Sequence, residues 1–225
     1  MTSIPGFRAE LERLNTDLQH AEVSRDPEEL SRIAHALARV ARLADERADE
    51  LHEKLRIDSL TLLPSREAYE EDIAPELMKF YDGENDRRRY PANYIIIIAD
   101  LDGLHTINNE DGHLAGDDAI RKSATVLKQS IRTNDWVGRR GDNADEFMVV
   151  VRISDDDDVE KSRVAILERV AELSKEYGIG ISLGAAIASD YLSLNECLDD
   201  ADKAMYQDKI FHYSQRGIVY SQTKI

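Results

Sequence analysis

Hydrophobic residues recur along this chain in two rhythms, and the change from one to the other divides it. Ile4, Phe7, Leu11, Leu14 and Leu18 are spaced alternately three and four apart, which lines them up along one side of a helix. Ser24-Arg25-Asp26-Pro27 breaks the run, with Asp26 placed to cap a second helix and Pro27 in its first helical position. Leu30, Ile33, Leu37, Val40, Ala44 and Leu51 then follow at heptad-like spacing, with Glu, Arg and Asp on the other faces. Such a seam packs either against the first helix as a hairpin or against a second chain as a coiled coil, and the spacing leaves both open. A helical region over residues 1–57 is therefore expected ahead of a second domain over 58–225.

In that second domain the pattern predicts alternating helices and strands. The stretch Asp58-Ser-Leu-Thr-Leu-Leu-Pro-Ser-Arg66 leads into a helix ending near Tyr81, and the polar residues 82–91 read as a loop. Tyr94-Ile-Ile-Ile-Ile-Ala99 is apolar on both faces, as a fully buried strand must be, and it stops at Asp100-Leu-Asp102. Residues 116–131 have helical spacing. Two short β runs, 136–140 and Glu146–Ile153, flank Gly141-Asp-Asn-Ala-Asp145, whose turn chemistry makes them a hairpin. After an acidic loop at 155–158, the pattern predicts a helix over Val159–Tyr177, a strand of small residues at 180–188 and a helix over 194–209. Residues 217–221 are suited to one more strand.

Composition narrows the class. The chain has 225 residues, 42% hydrophobic and 33% charged, the balance of a globular domain. No apolar run approaches the roughly 20 residues of a membrane-spanning helix, and the first residues lack the basic-then-apolar order of a secretory signal. Neither a membrane nor a nucleic-acid partner is expected, the latter because the net charge of −16 is opposite to that of a polyanion-binding surface. The single cysteine, Cys197, rules out an internal disulfide and accords with a cytoplasmic location.

The chemistry concentrates on acidic residues. Asp100 and Asp102 end a buried strand, where sheets flanked by helices bind ligands, and Asp145-Glu146 begins the second strand of the hairpin. If the hairpin lies beside the strand of isoleucines, the two pairs converge into a cluster of hard oxygens suited to Mg²⁺ and phosphate. Two metals so placed serve phosphoryl and nucleotidyl transfer. Spacing alone equally allows that Asp100 and Asp102 merely cap a strand end while Asp145 and Glu146 face solvent.

Longer motifs weigh between these readings. Asp58-x-Leu-Thr-x-Leu-Pro resembles the opening of diguanylate cyclase (GGDEF) domains. Asp100-Leu-Asp-Gly-Leu-His-Thr-Ile-Asn-Asn-Glu-Asp-Gly-His-Leu-Ala-Gly-Asp117 resembles that family's DxDxFKxIND block with its GH and GD extensions. Arg132-Thr-Asn-Asp135 is similar to its RxxD product site, Arg139 to Phe147 occupies its signature hairpin, and Ser182-x-Gly184-x-Ala186 and Ala201-Asp-x-Ala-Met-Tyr-Gln-x-Lys209 resemble its last core strand and helix. The resemblance implies an α/β fold, a central mixed sheet flanked by helices like a nucleotide-cyclase palm. It implies that Asp100, the carbonyl of Leu101 and Asp145 hold Mg²⁺ or Mn²⁺, and that Glu146 assists the second metal or the attacking 3′-hydroxyl. Asn108 and Asp117 would read guanine, with His105, Lys209 and Arg139 among the substrate-binding positions, and His113 would shape a turn. Arg132 and Asp135 would bind the guanine-containing product; as residues alone they read equally as a surface ion pair.

Three departures fall on the phosphate contacts. Gly141-Asp-Asn-Ala-Asp-Glu-Phe147 is two residues longer than the family signature, with Asn143-Ala144 where its glycines stand. His105 replaces a phosphate-contacting lysine, and Tyr213 stands where an arginine is expected, with Arg216 three residues beyond. The resemblance therefore implies one of two functions. The first is a cyclase that condenses two GTP to cyclic di-GMP as a homodimer held by the N-terminal helices. The second is a degenerate domain that binds GTP or cyclic di-GMP and signals without turnover.

Overall fold

The computed structural model of the chain describes residues 12–17, 20, 27–82, 93–140 and 145–215. Ile4, Phe7, Leu11, Leu18, the break before Pro27, the loop beyond Asp82, residues 141–144, Arg216 and the strand expected at 217–221 lie outside the described residues. The chain divides into two compact units, Met1–Lys54 and Leu55–Ile225.

In the first unit, residues 12–17 are helical and α1 begins at Pro27 and runs to Leu55. Leu14, Ile33 and Val40 are buried, whereas Leu37 is at the edge of exposure and Leu43 and Leu51 are about half exposed, at 53% and 50%. The apolar seam is thus covered within the chain over its first half only. None of the described helices is long and apolar enough to cross a membrane.

The second unit opens with a joint. The Asp58 carboxylate accepts hydrogen bonds from the Thr61 amide at 2.8 Å and hydroxyl at 2.7 Å, which closes a tight turn, and its other oxygen pairs with Arg139 at 2.8 Å. Burial pushes Asp58 up, but the Thr61 hydrogen bonds and the Arg139 cation hold it below the usual carboxylate range. Ser65 then caps α2 (Arg66–Ala68), which passes through a π-helical turn at Tyr69–Ile73 into α3 (Ala74–Tyr81). The widened turn comes just before Pro75, which has no N–H to return to the preceding turn.

Four strands follow: β1 (Asn93–Leu101), β2 (Trp136–Arg139), β3 (Glu146–Ile153) and β4 (Ile181–Ile187). Their order is β2-β3-β1-β4, and every described neighbouring pair is antiparallel. The mixed sheet expected from the sequence is realised differently. The strands joined through helices, β1 to β2 and β3 to β4, do run parallel, but each such pair is separated by a strand of the other, so two interleaved crossovers leave only antiparallel neighbours. The crossovers are α4 (Leu104–Asp111) with α5 (His113–Gln129), and α6 (Val159–Tyr177); the last helix is α7 (Leu194–Gln215).

Each face of β1 builds its own core, which is why the strand is apolar throughout. Ile95, Ile97, Ala99 and Leu101 pack with α5 and α6, while Tyr94, Ile96 and Ile98 pack with α3 and α7. At the start of β1 a charged cluster is half-buried: Arg152 donates to both oxygens of Glu76, at 2.8 and 2.6 Å, and the Tyr94 hydroxyl donates to Glu76 at 2.8 Å. Burial pushes Glu76 up, yet the Arg152 and Tyr94 hydrogen bonds outweigh it and hold the carboxyl below its ordinary value. A depressed folded pKa means stability that is present above the unfolded value and lost as pH falls through the folded one. Glu76→Gln should therefore lower unfolding stability at pH 7 by about 1–3 kcal/mol. In urea titrations the gap from the parent should shrink as pH falls below about 4; a constant gap down to that pH counts against the ionised pair.

Candidate active site

The sheet brings the acidic residues together at one end. Asp100 is directly opposite Glu146 of β3 and Ser182 of β4, so three strands present a polar row at the C-terminal end of β1. The Leu101 amide donates to the Asp145 carbonyl at 3.0 Å, which joins the return strand of the hairpin to the same end. Asp100 is only 4% exposed. Its carboxylate accepts from the Lys209 ammonium of α7 at 2.5 Å. Burial nevertheless raises the Asp100 pKa to about 6, against the pull of Lys209, with the Asp145 and Glu146 charges adding to the rise. Desolvation wins over a contact ion pair because the buried carboxylate also faces two like charges.

That donor set fits a hard divalent cation: buried and half-buried carboxylates crowd one another, and positive charge placed among them relieves the repulsion. In this structure Lys209 supplies it. Among the described residues no group of three carboxylate, imidazole or thiol side chains forms a closed metal cage, so a bound ion would rely on backbone, water or phosphate oxygens as well.

The chain after β1 turns on Gly103, whose φ of +76° is left-handed and accessible to glycine without strain. This launches α4, and Gly112 (φ +85°) separates α4 from α5. The Asn108 side chain of α4 lies over Gly116 of α5: a Cβ at Gly116 would come within 2.0 Å of the Asn108 Oδ1. Asn108 and Asp117 are thus carried on adjoining helix turns, both half-buried. His105 is exposed, with the Asn109 amide 3.2 Å from its ring, and His113 is exposed at the start of α5.

The other expected residues are dispersed. Arg139 faces Asp58 and ties β2 to the opening turn. Arg132 and Asp135 lie at the other end of the sheet, where Asp135 accepts from the Arg132 and Arg152 amides at 2.9 Å each and Arg132 pairs with Asp157 at 3.1 Å. Tyr94, opposite Arg152, is six positions along β1 from Asp100, a span of about 20 Å. Arg132 and Asp135 therefore lie apart from the acidic row.

Two residues at the acidic end, His212 and Arg140, were missed from sequence. Asp102, which the sequence did single out, is 4% exposed, accepts from the Ser182 hydroxyl at 2.6 Å and has the His212 Nδ1 at 2.8 Å from its other oxygen. His212 is three residues beyond Lys209 on α7, so helical spacing was a signal for it. Arg140 donates to both oxygens of Asp202, at 2.5 and 2.8 Å, and is 4.0 Å from Glu146. No local pattern announces a pair 62 residues apart.

The chain is similar to known proteins over this region. The family model described as diguanylate cyclase, GGDEF domain, matches residues 55–212. Diguanylate cyclase DgcZ of Escherichia coli is 29% identical over 178 residues, 77% of this chain and 56% of that protein. DgcS of Shewanella oneidensis is 26% identical over 166 residues, 71% of this chain and 51% of that protein. The chain therefore spans about half the length of these curated relatives. Among solved structures, a microbial GGDEF domain described in its interaction with bis-(3′,5′)-cyclic di-GMP matches with a TM-score of 0.54 at 25% identity, over 70% of this chain and 94% of that one. The coiled coil and GGDEF domain of DgcB from Caulobacter crescentus, in complex with c-di-GMP, shares the fold at 22% identity and a TM-score of 0.57, over 83% of this chain and 94% of that one. With the acidic row, helices α4 and α5 and this match in one order along the chain, the protein belongs to the diguanylate cyclase GGDEF-domain family.

Proposed function

We propose that the protein is a diguanylate cyclase that condenses two GTP molecules to cyclic di-GMP. The observation that carries this reading is the alignment of Asp100 with Glu146 across β1 and β3, with Asp145 beside them and Lys209 above. Asp100, Asp145 and the Leu101 carbonyl would hold Mg²⁺ or Mn²⁺, which when bound supplies Lewis-acid stabilisation of phosphate charge. Asp117 would accept from guanine N1–H and the exocyclic amine, with Asn108 beside it on the neighbouring helix. Lys209 would exchange its contact with Asp100 for the triphosphate. Glu146 would take the proton of a 3′-hydroxyl as its oxygen attacks the α-phosphorus of the facing GTP. Two such O3′–P bonds form, two P–O bonds to the β-phosphates break, and two pyrophosphates leave.

Condensation needs two half-sites face to face, hence a homodimer. Ala44 and Leu51 of α1 leave the second half of the seam open for a second copy, and Leu37 stands at the edge of exposure before it. Arg132 and Asp135 would bind product at the far end of the sheet. A second reading has its own support: Lys209 already pairs with Asp100, an exposed His105 replaces a lysine, and Tyr213 stands where an arginine is expected. On that reading the domain binds GTP or cyclic di-GMP and signals without turnover.

Incubation of the purified protein with GTP and Mg²⁺, followed by chromatography of the nucleotides, separates the two, since only the cyclase yields cyclic di-GMP and pyrophosphate. Asp100→Ala and Asp145→Ala should each abolish Mg²⁺-dependent turnover with the fold intact by circular dichroism, because both side chains lie at strand ends. Parent-like conversion in both variants would overturn the metal assignment.

Base choice is measured separately by calorimetry. The parent should prefer GTP to ATP, and Asp117→Ala should erode that preference by about 1–3 kcal/mol, the scale for an unmatched hydrogen-bonding group. Equal parental affinities for the two nucleotides would exclude the assignment of Asn108 and Asp117.

Assembly is tested on the exposed seam. Leu37→Glu with Leu51→Glu should give monomers in sedimentation, with catalytic domains still folded and cyclisation lost. A doubly substituted protein that remains dimeric would remove α1 from the dimer contact.

A further inference from the structure

A cavity of about 550 Å³ lies on the sheet face that packs with α3 and α7, above β2 and β3 and apart from the helices that carry Asn108 and Asp117. Its apolar walls are Tyr69, Trp136, Met148 and Leu198. Trp136 and Tyr69 are half-buried, with ring centroids 5.7 Å apart and planes inclined at 50°.

Two backbone features hold these rings in place. The Trp136 indole lies along β2 over Gly138, where a Cβ would come within 2.3 Å of the ring, so no larger residue fits beneath it. Tyr69 begins the π-helical turn, in which the Ala74 amide reaches back to the Tyr69 carbonyl. π turns inside helices are uncommon and concentrate where side chains are re-aimed for binding. Neither the indole N–H nor the Tyr69 hydroxyl donates to a described residue, and neither is fully buried, so both remain accessible. A core aromatic pair would be expected to bury its faces and satisfy its polar tips within the protein.

The edge of the cavity sets the charge of what it takes. Three arginines, Arg66, Arg139 and Arg140, stand against three carboxylates, Glu70, Glu146 and Asp202, so the lining is formally neutral. Arg66 is paired with Glu70 at 2.8 Å and Arg140 with Asp202. Such an edge favours neither an anion nor a cation; it offers donors and acceptors side by side.

We propose that this cavity is a binding site for a neutral, planar heteroaromatic molecule that stacks on the face of Trp136 and takes a hydrogen bond at its ring edge from the Tyr69 hydroxyl. Its volume is within the range of small-molecule pockets. Arg140 and Glu146 lie on its rim, so occupancy acts next to the acidic end of β1 without touching the proposed guanine readers.

Trp136 is the chain's single tryptophan and reports on the cavity directly, whether or not the protein turns over GTP. Free adenine, a neutral heteroaromatic probe, should quench its fluorescence saturably, with half-saturation below about 1 mM. Cyclohexanol, of similar size but without a π face, should leave the emission unchanged. Leu198→Glu, which places a charge in the apolar wall, should weaken adenine at least tenfold with an unchanged unfolding midpoint. Should that variant fold poorly, Arg66→Ala, at the exposed start of α2, should weaken adenine severalfold instead. Purely linear quenching, an equal response to cyclohexanol, or parent-like affinity in a folded Leu198→Glu or Arg66→Ala protein would overturn the site.

Discussion

The close approach of α7 to β4 is the constraint on which the acidic end depends. A Cβ at Gly184 would come within 2.0 Å of the Ala201 carbonyl oxygen and 2.1 Å of the Met205 amide nitrogen, so helix backbone rests directly on strand backbone. With Ser182 and Ala186 also small, β4 offers a shallow track, and the helix settles along it. From there Asp208 accepts the Leu183 amide at 2.8 Å, Lys209 reaches Asp100, His212 reaches Asp102 and Asp202 reaches Arg140. A larger residue at position 184 would lift all of these together, because they share one rigid helix.

That arrangement lets a protein of charge −16 concentrate carboxylates at the end of a buried strand. Asp100 is desolvated by its own sheet and crowded by Asp145 and Glu146. Lys209 offsets part of that cost without abolishing it, since burial still wins. A site left in this condition is poised for more positive charge. The neighbouring Asp102 is equally buried, but the Ser182 hydroxyl and His212 meet its two oxygens, so it belongs to the seat of α7. Two aspartates one residue apart thus divide into a group under electrostatic pressure and a group that anchors a helix.

Much of this was legible in the sequence because the signals were local. The isoleucine run of β1, the hairpin strands and Val159–Tyr177 are where hydrophobic period and turn chemistry put them. The end of α7 was not: the helix was expected to stop at Lys209 and runs to Gln215, since no glycine or proline intervenes and His212 is held by Asp102. The turn at Tyr69–Ile73 was also missed, because a proline near a helix start usually reads as a first-turn residue and here falls just beyond a widened turn. Pairs such as Glu76 with Arg152 and Arg140 with Asp202 join segments far apart in sequence, and only the register of the sheet and the seating of α7 bring them together. In the site, the acidic row followed from strand ends, whereas the pairing of Arg139 with Asp58 depended on how the opening turn docks on β2.

The N-terminal seam shows how one periodicity can serve two surfaces. Its spacing left open whether the apolar stripe would pack within the chain or against a second copy, and the burial along it divides. Leu14, Ile33 and Val40 are covered, while Ala44 and Leu51 remain exposed. An apolar side chain can be desolvated by only one neighbour at a time, so the covered half has no further apolar area to give to another molecule. The open half retains that capacity, and it is the half that runs towards the second unit. A stripe divided in this way can be satisfied inside the chain at one end and still carry unsatisfied apolar surface at the other.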